Sequence, residues 1–473
     1  MFFCPVNQVT RLDEEVEKSD TICMKSDSDK RYIYIENLGC AKNQVDAEVL
    51  ACSLEKDGWI LTGNAENADL IFVNTCGFIE SAREESIDTF FSLKNQFPKA
   101  KIVISGCLAQ RYAQELQEQI PEADGIFGNR DLAKVNDFVK DIIGKKKETK
   151  LQVPEYPDPD EDIYERNELF NYPGSAFLKI SEGCNHRCGF CAIPLIRGPL
   201  RSRPKAQILA EAKELVSRDI REINLIAQDL AAYGTDWDGK SHFLELLQAI
   251  TDIEGTFKVR LLYIHPDAFP LELLDMVRKN DKIIPYFDIP IQHASEKLLR
   301  PMKRVGDEKI YTDLITRIRT ALPECVIRTT IMLGFPGETD EDFDKVYEFV
   351  KDNRFNWMGS FVYSLEEGTY AYGLTTEKEH KALAKVAKSR QKKLQKLQEK
   401  ITSECLQSFV GKEYDVLIEE LVEGEDLAIG RIWAQAPEVD GLTVVMGRDM
   451  VPGKVYRCGI TKVNGIDLEA VKL

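Results

Sequence analysis

The sequence contains no long apolar run. No stretch approaches the roughly 18 apolar residues that a membrane-spanning helix requires. The opening segment, MFFCPVNQVTRLDEEVEKSD, also lacks a basic region followed by a sustained apolar one, so it does not have the pattern of a secretory signal. We therefore expect a soluble, cytoplasmic protein with no membrane partner.

Positively charged residues are also fewer than negatively charged ones. Asp and Glu number 79 against 62 Lys and Arg, which gives a formal net charge of −17. Loose binding to nucleic acid depends on Lys and Arg that displace counterions from phosphates, so this composition disfavours it. An acidic chain suits a basic partner, although many cytosolic enzymes are acidic merely for solubility.

Cysteine, in contrast, is plentiful. The chain has 12 Cys among 473 residues. Disulfide frameworks are rare in the reducing cytoplasm, so metal ligation or catalysis is the expected use of these thiols. A chain of this length has room for two to four domains.

An N-terminal α/β domain is predicted after a polar tail. Residues 1–30 are acidic and without periodicity, and we expect them to be disordered. In residues 31–145, strand-like runs at 32–36, 70–74 and 102–105 alternate with amphipathic helical stretches. Such alternation predicts an open parallel sheet with helices on its faces.

A linker and two further domains follow. Residues 146–171 are charged and proline-rich, as linkers often are. In residues 172–405, six strand–helix units predict a partial, TIM-like βα barrel. Residues 406–473 carry short β runs separated by Gly and Pro, which predicts a small all-β barrel.

Three cysteines lie in one short loop. The segment CNHRCGFC places Cys184, Cys188 and Cys191 at spacings of four and three residues. Iron–sulfur clusters are held by cysteine thiolates, usually four of them. Three such thiolates can hold a cubane cluster and leave its fourth iron open to a substrate. A compact zinc site that includes His186 is the alternative, although structural zinc sites usually divide their ligands into two distant pairs.

Three more cysteines occupy equivalent places in the first domain. Cys40, Cys76 and Cys107 each follow a strand-like run and precede a helical stretch. The carboxyl ends of parallel strands line one edge of an open α/β sheet, where ligands bind. We therefore expect these thiols to meet in a second site with an open coordination position. The alternative is that each is a small buried hydrophobe, which is common for cysteine.

The cysteine loop resembles a known signature. CNHRCGFC is similar to the radical-SAM motif CxxxCxΦC, with Phe190 as the aromatic residue before the last cysteine. Together with the upstream cysteines and the terminal β-barrel, which is similar to a TRAM domain, residues 31–473 resemble the radical-SAM methylthiotransferase family. The stretches SEGCNHRCGFCAIPLIRGPLRSRP, YFDIPIQHASEKLLRPMKR and GRIWAQAPEVDG resemble the branch that modifies a ribosomal protein.

The resemblance implies two [4Fe-4S] clusters and S-adenosyl-L-methionine (SAM) as cofactors. The cluster on Cys184, Cys188 and Cys191 would cleave SAM to a 5′-deoxyadenosyl radical. That radical would take a hydrogen from the β-carbon of an aspartate in the twelfth protein of the small ribosomal subunit. The cluster held by the three upstream cysteines would present sulfur, and a second SAM would donate the methyl group. An electron donor and a sulfur donor are therefore implied partners.

Further residues are suggested by their position in the family pattern. Phe190 should lie close to the adenine or the cluster. Gln228 and Asp229 follow the second barrel strand, where a SAM-binding motif falls in the superfamily, but they could instead only cap the next segment. Three arginines after the cysteine loop could steer an anionic group or form a solvated basic loop: Arg197, Arg201 and Arg203.

The net charge of the terminal barrel distinguishes between the two substrates that the resemblance implies. The rival substrate is a modified adenosine of tRNA, and a barrel that binds RNA should carry a basic surface. Residues 411–473 contain seven Lys or Arg and twelve Asp or Glu, a net charge of −5. This favours a basic ribosomal protein as the substrate and disfavours tRNA. A non-catalytic zinc adaptor that contacts the ribosome through this barrel is the alternative from another class of function.

Overall fold

The computed structural model describes residues 30–144, 150–156 and 164–473. They form two units. Residues through Phe170 with the segment Leu195–Gly198 make up the first, and Asn171–Pro194 with Pro199–Leu473 the second. The tail predicted to be disordered, 1–30, lies outside the described residues except for Lys30. None of the helices in the described ranges combines the length and the apolar character needed to cross a bilayer.

A sheet forms the centre of the first unit. Its strands are β1 (Arg31–Asn37), β2 (Trp59–Leu61), β3 (Leu70–Thr75), β4 (Lys101–Gly106), β5 (Gly125–Phe127) and β6 (Lys150–Gln152). All neighbours are parallel, in the order β2-β1-β3-β4-β5-β6. Strand β3 is buried along its whole length, as expected of a parallel strand covered on both faces. The predicted open parallel α/β fold is confirmed.

Helices cover both faces of this sheet. They are α1 (Ala41–Lys56), α2 (Glu80–Gln96), α3 (Cys107–Arg111), α4 (Ala113–Gln119) and α5 (Val135–Ile143). One apolar cluster joins Phe72 of β3 to α1 and α5, and another joins Ile71 and Val73 to α2, α3 and α4. Because successive side chains of a strand point to opposite faces, the two clusters lie on opposite sides of the sheet.

Strand β6 lies inside the predicted linker, 146–171. It pairs in parallel with β5, with Leu151 opposite Ile126. Its three residues are only half-buried and sit at the edge of the sheet. Such a short, partly exposed strand has too little apolar periodicity to stand out from the surrounding charges and prolines. The sequence pattern therefore does not predict it.

The second unit begins with another parallel sheet. Its strands are β7 (Ser175–Lys179), β10 (Glu222–Ile226), β11 (Lys258–Leu261), β12 (Ile283–Asp288), β13 (Val326–Leu333) and β14 (Trp357–Val362). A separate antiparallel pair, β8 (Ser181–Glu182) and β9 (Arg201–Ser202), lies between β7 and β10 in the sequence. The parallel strands are ordered β14-β13-β12-β11-β10-β7. Successive strands are neighbours, which is the topology of the predicted partial βα barrel.

Helices connect these strands. They are α6 (Ile193–Ile196), α7 (Lys205–Ser217), α8 (Thr235–Asp238), α9 (Phe243–Thr251), α10 (Glu272–Lys279), α11 (Glu296–Leu299), α12 (Glu308–Ala321), α13 (Asp340–Asn353) and α14 (Glu377–Leu406). The longest, α14, begins with a capping box in which Thr376 and Glu379 satisfy each other's backbone N–H groups. It leads into the terminal barrel.

A closed barrel of five strands ends the chain. The strands are β15 (Glu413–Leu421), β16 (Leu427–Arg431), β17 (Thr443–Met446), β18 (Val455–Asn464) and β19 (Asp467–Lys472). They close in the order β15-β16-β17-β19-β18. The predicted small all-β barrel is confirmed.

The segment between β16 and β17 connects this barrel to the parallel sheet of the same unit. Trp357 Nε1 donates to the carbonyl oxygen of Ala434 at 2.8 Å, and Tyr286 Oη donates to Asp440 Oδ2 at 2.6 Å. Arg431 Nη1 lies 3.0 Å from Glu222 Oε1. Ala434 is 1% exposed. The GRIWAQAPEVDG stretch is thus largely an internal connection between the sheet and the barrel.

Candidate functional site

Three thiols lie together at the carboxyl edge of the first sheet. Cys76 directly follows β3, Cys107 follows β4, and Cys40 lies between β1 and α1. Since these three strands are adjacent and parallel, their carboxyl ends lie side by side. The structure thus brings the three sequence-predicted residues of the first domain to one place.

Two glycines reveal how closely the thiol-bearing turns pack. Gly39 has a φ of 102°, and a Cβ built on it would lie 3.1 Å from the Cβ of Cys76. A Cβ built on Gly77 would lie 2.7 Å from the carbonyl carbon of Cys107. A side chain at either position would push the turns apart, so the close approach of the three cysteines requires glycine there.

The protein environment opposes ionisation of two of these thiols, those of Cys76 and Cys107. Burial and, to a lesser degree, the neighbouring sulfurs of Cys107 and Cys40 raise the pKa of the Cys76 thiol to about 12. Burial also raises the pKa of Cys107, while the positive charge of Arg197 lowers it. Because a thiolate is the form that binds metal, such a site gains its charge by binding a cation and releasing protons.

Polar side chains surround Cys107. Arg197 Nη2 lies 3.4 Å from its sulfur and Asn129 Nδ2 lies 3.3 Å from it, both as donors. Asn43 fixes the neighbouring turns, since its Nδ2 donates to the carbonyl oxygens of Leu38 at 2.6 Å and Thr75 at 3.2 Å. The sequence pattern does not predict a role for Asn43 or Asn129, which stand in no recognised motif.

The second thiol trio lies in the loop between β8 and α6. Cys191 donates its backbone N–H to the carbonyl oxygen of Cys188 at 3.0 Å. Gly189 anchors the loop on both sides: its N–H donates to Met302 O at 2.9 Å, and its carbonyl accepts from Ala371 N–H at 2.7 Å. These bonds hold the loop against two other segments of the second unit.

Burial acts on this trio in the same way. It raises the pKa of Cys191 to about 12 and that of Cys184 to about 11, and the neighbouring cysteine sulfurs add to both shifts. The positive charge of Arg304 opposes the shift at Cys184, Cys188 and Cys191 alike. Each thiol trio therefore has a buried arginine beside it, which suits a negatively charged cluster.

The residues predicted to contact SAM lie near this loop. Phe190 is buried, and Gln228 is half-buried just after β10. Asp229 is buried and engaged: its Oδ1 accepts from Ala231 N–H at 3.1 Å and from His265 N–H at 3.0 Å. Its Oδ2 lies 2.6 Å from His186 Nε2. Asp229 thus caps the segment that follows β10 and also holds the cysteine loop.

Several polar atoms near the carboxyl ends of the barrel strands have no partner. His265 Nε2, Gln292 Oε1 and Arg304 Nη1 are buried and make no hydrogen bond within the described part of the chain. Buried polar groups normally have partners. A ligand rich in polar groups, as SAM is, would satisfy them, so these residues fit such a ligand.

The thiols are not arranged around a single ion. In residues 30–144, 150–156 and 164–473, no three Cys, His, Asp or Glu side chains are close enough to hold one metal ion. The ligands of a cubane cluster bind separate iron corners and therefore stand farther apart than the ligands of one ion. The donor set of three thiols at each site matches cluster ligation by thiolates.

The three arginines after the cysteine loop are not a solvated surface. Arg197 and Arg203 are buried, at 3% and 2% exposure. Arg203 pairs with Glu211 at 2.7 Å, and Arg197 pairs with Asp46 at 2.8 Å. Arg201 is half-buried in β9. The solvated-loop interpretation is therefore wrong for Arg197 and Arg203.

Three family models match the chain. One described as the uncharacterized protein family UPF0004 matches residues 32–128, the radical SAM superfamily matches 178–350, and the TRAM domain matches 410–472. The first match contains the first thiol trio and the second contains the second.

The chain is also similar to curated proteins along nearly its whole length. It is 44% identical over 465 residues to the ribosomal protein uS12 methylthiotransferase RimO of Treponema denticola, covering 92% of this chain and 99% of that one. A protein of the same name from Citrifermentans bemidjiense is 38% identical over 451 residues, covering 94% and 98%.

Among solved structures, the chain resembles a radical SAM methyltransferase, TsrM from Kitasatospora setae, which was determined with tryptophan and a SAM analogue bound. The TM-score is 0.52 at 14% identity, covering 70% of this chain and 73% of that one. A likeness at this identity concerns the fold alone.

Proposed function

The chain belongs to the RimO family of ribosomal protein uS12 methylthiotransferases, and we propose that it adds a methylthio group to the β-carbon of an aspartate in uS12. The observation that carries this proposal is the similarity to curated members over more than nine-tenths of the chain. The presence of two separate trios of thiols supports it, since a methylthiotransferase needs one metal site for SAM cleavage and another for sulfur.

We assign a [4Fe-4S] cluster to each trio. Cys184, Cys188 and Cys191 would hold the cluster that binds SAM, and the first domain's trio would hold the sulfur-donating cluster: Cys40, Cys76 and Cys107. When bound, these cofactors supply one-electron cleavage of SAM, sulfur and the methyl group. Sulfur and electrons must be replaced after turnover, so a sulfur donor and an electron donor are further partners.

The chain's own residues position the SAM site. Phe190, buried beside Cys191, would exclude water from the cluster and so affect its potential. Asp229 fixes the loop through His186. Gln228, half-buried just after β10, would make a polar contact with SAM. His265 and Gln292 offer unpaired buried atoms for the same purpose.

The surface of the terminal barrel supports a basic protein substrate. The hairpin from β15 to β16 exposes Glu420, Glu423 and Glu425. Of the barrel's few basic residues, Arg431 is buried between Glu222 and Glu419 and adds nothing to the surface. An acidic surface attracts Lys/Arg-rich proteins and repels RNA phosphates. Because the proposed substrate is a ribosomal protein, we also expect the enzyme to act in the cytoplasm.

The substrate assignment has a direct test. The anaerobically reconstituted protein is incubated with SAM, a reductant and a sulfide source, together with purified uS12 or bulk tRNA, and both products are analysed by mass spectrometry. We expect an added thiomethyl mass on uS12 and none on tRNA. Thiomethyl groups found only on tRNA would overturn the proposal. A Cys76→Ala variant, which lacks one ligand of the sulfur-donating site, is the control for uncatalysed addition.

The same modification can be sought in cells. Mass spectrometry of uS12 from cells with and without this gene should show the thiomethyl group only when the gene is present. An unmodified uS12 in both would contradict the assignment.

A further inference from the structure

Arg197 is held rigidly inside the first unit. Its segment, Leu195–Gly198, packs with that unit. Arg130 fixes the backbone of the segment, since its Nε donates to Ile196 O at 3.1 Å and its Nη2 to Leu195 O at 3.0 Å. The side chain of Arg197 is 2% exposed and its Nη2 lies 2.8 Å from Asp46 Oδ2, which is equally buried. The Arg197 side chain is therefore fixed at both ends: through the backbone of its segment and through its guanidinium.

The same Nη2 atom reaches a thiol. It lies 3.4 Å from the sulfur of Cys107, within the distance of an N–H···S hydrogen bond. Asn129 Nδ2 lies 3.3 Å from that sulfur, and the backbone N–H of Asn129 donates to Gln110 Oε1 at 3.0 Å, which fixes its position. Cys107 thus faces two fixed donors.

If the Arg197–Asp46 pair served stability alone, its guanidinium would not need to lie beside the sulfur of Cys107. Taking Arg197 and Asp46 out of water is costly, and such pairs often add little stability over apolar residues of the same size. What the pair does achieve is to hold a guanidinium beside one of three crowded thiols, where its positive charge acts on the Cys107 sulfur more strongly than the opposing charge of Asp46. At that place the charge acts on whatever the sulfur binds.

We propose that Arg197, oriented by Asp46, and Asn129 donate N–H···S hydrogen bonds to the Cys107 thiolate and so raise the reduction potential of the cluster that it holds. This rests on the proposed function, which places a cluster on Cys40, Cys76 and Cys107. Hydrogen bonds to cluster sulfurs and nearby charge are among the features that set such potentials. A positive charge stabilises the more negative, reduced cluster, and the cluster then accepts an electron more readily. Arg197 and Asn129 are positioning residues in this scheme.

The potential can be measured on the full-length chain. Replacing Cys184, Cys188 and Cys191 by Ala leaves only the first unit's cluster, so that its midpoint potential follows from a redox titration monitored by electron paramagnetic resonance. Three substitutions are introduced separately into this background: Arg197→Met, Arg197→Lys and Asn129→Leu. The matched control is Arg166→Met, which removes another buried arginine of the same unit, paired with Glu48 on α1.

We expect a more negative midpoint potential in Arg197→Met and a smaller shift of the same sign in Asn129→Leu, at unchanged iron content. Arg197→Lys, which keeps the charge, should lie between the parent and Arg197→Met, and Arg166→Met should not shift. If Arg197→Met fails to fold, Asn129→Leu and Arg197→Lys decide instead. Parent-like potentials in the iron-loaded variants would overturn the inference. No iron at all in the parent background would overturn the proposed cluster itself, which is a different result.

Discussion

Asp229 Oδ2 lies 2.6 Å from Nε2 of His186, the histidine inside the cysteine loop. The ring of His186 also stacks on that of His265, with ring centroids 4.1 Å apart. The carboxylate accepts from the backbone N–H groups of Ala231 and His265 as well. One buried side chain thus ties the cysteine loop to the carboxyl ends of β10 and β11, and we expect the shape of the proposed SAM site to depend on it.

Replacing Asp229 should therefore disturb SAM cleavage without touching a thiol. Asp229→Ala leaves two backbone N–H groups buried without an acceptor, at about 1–3 kcal/mol each, and releases His186. We expect a lower melting temperature and a large loss of 5′-deoxyadenosine formation. Asp229→Asn keeps one acceptor oxygen and should lose less of both. Parent-like cleavage by a folded Asp229→Ala protein would show that the loop does not need this anchor.

The connection between the terminal barrel and the parallel sheet should be measurable as stability. Trp357→Phe removes the indole N–H that the carbonyl oxygen of Ala434 accepts. Leaving that carbonyl unsatisfied should lower the free energy of unfolding by about 1–3 kcal/mol. Trp237→Phe is the matched control, because Trp237 is 49% exposed, and it should cost less than about 0.5 kcal/mol. Equal effects of the two substitutions in urea unfolding would contradict this role.

The same connection should weaken in acid. Although burial opposes its ionisation, Glu222 lies beside Arg260 and Arg431, which hold its pKa at about 2, below the ordinary 4.5. An acid with a lowered pKa in the folded state stabilises that state fully above its unfolded pKa. That stabilisation disappears as the pH falls from about 4.5 to about 2.

We expect Glu222→Gln to be less stable than the parent by about 3 kcal/mol at neutral pH. The difference should shrink steadily below pH about 4.5. Urea unfolding of both proteins at several pH values measures it. A difference that stays constant down to pH about 2 would mean that the charge of Glu222 is not responsible.

Metal content distinguishes the enzyme from a zinc adaptor. Two [4Fe-4S] clusters correspond to about eight irons per chain and a brown colour in anaerobically purified protein. Cys188→Ala and Cys76→Ala should each lower the iron content by up to half, whereas Cys52→Ala, at a buried cysteine of α1 outside both trios, should not. A colourless protein that contains zinc and cannot cleave SAM would support the adaptor.

Much of the fold is predictable from the sequence because apolar runs of parallel strands are continuous. The predicted strand at 70–74 matches β3, Leu70–Thr75, whose residues are all buried. The short strands β2 and β6, with three residues each, have no such run and are not predicted. Their place in the sheet is determined by pairing with neighbours that are distant in sequence, which local periodicity does not encode.

The meeting of the thiols in the first unit is predictable because the strands before them are recognisable in the sequence. The polar groups around those thiols are not predictable in this way. Cys76 and Cys107 directly follow adjacent buried strands, so parallel pairing alone brings them together. Asn129 meets Cys107 from 22 residues farther along, and Arg197 from 90. The packing of Leu195–Gly198 into the first unit follows from tertiary contacts. A local pattern could not distinguish this from a solvated basic loop.

The division of roles between the two thiol sites is tested most directly by release of 5′-deoxyadenosine from SAM under reducing conditions. We predict that Cys188→Ala releases none, whereas Cys76→Ala releases it at a rate close to that of the parent yet adds no sulfur to uS12. Equal loss of release in the two variants would contradict separate sites for SAM cleavage and sulfur delivery.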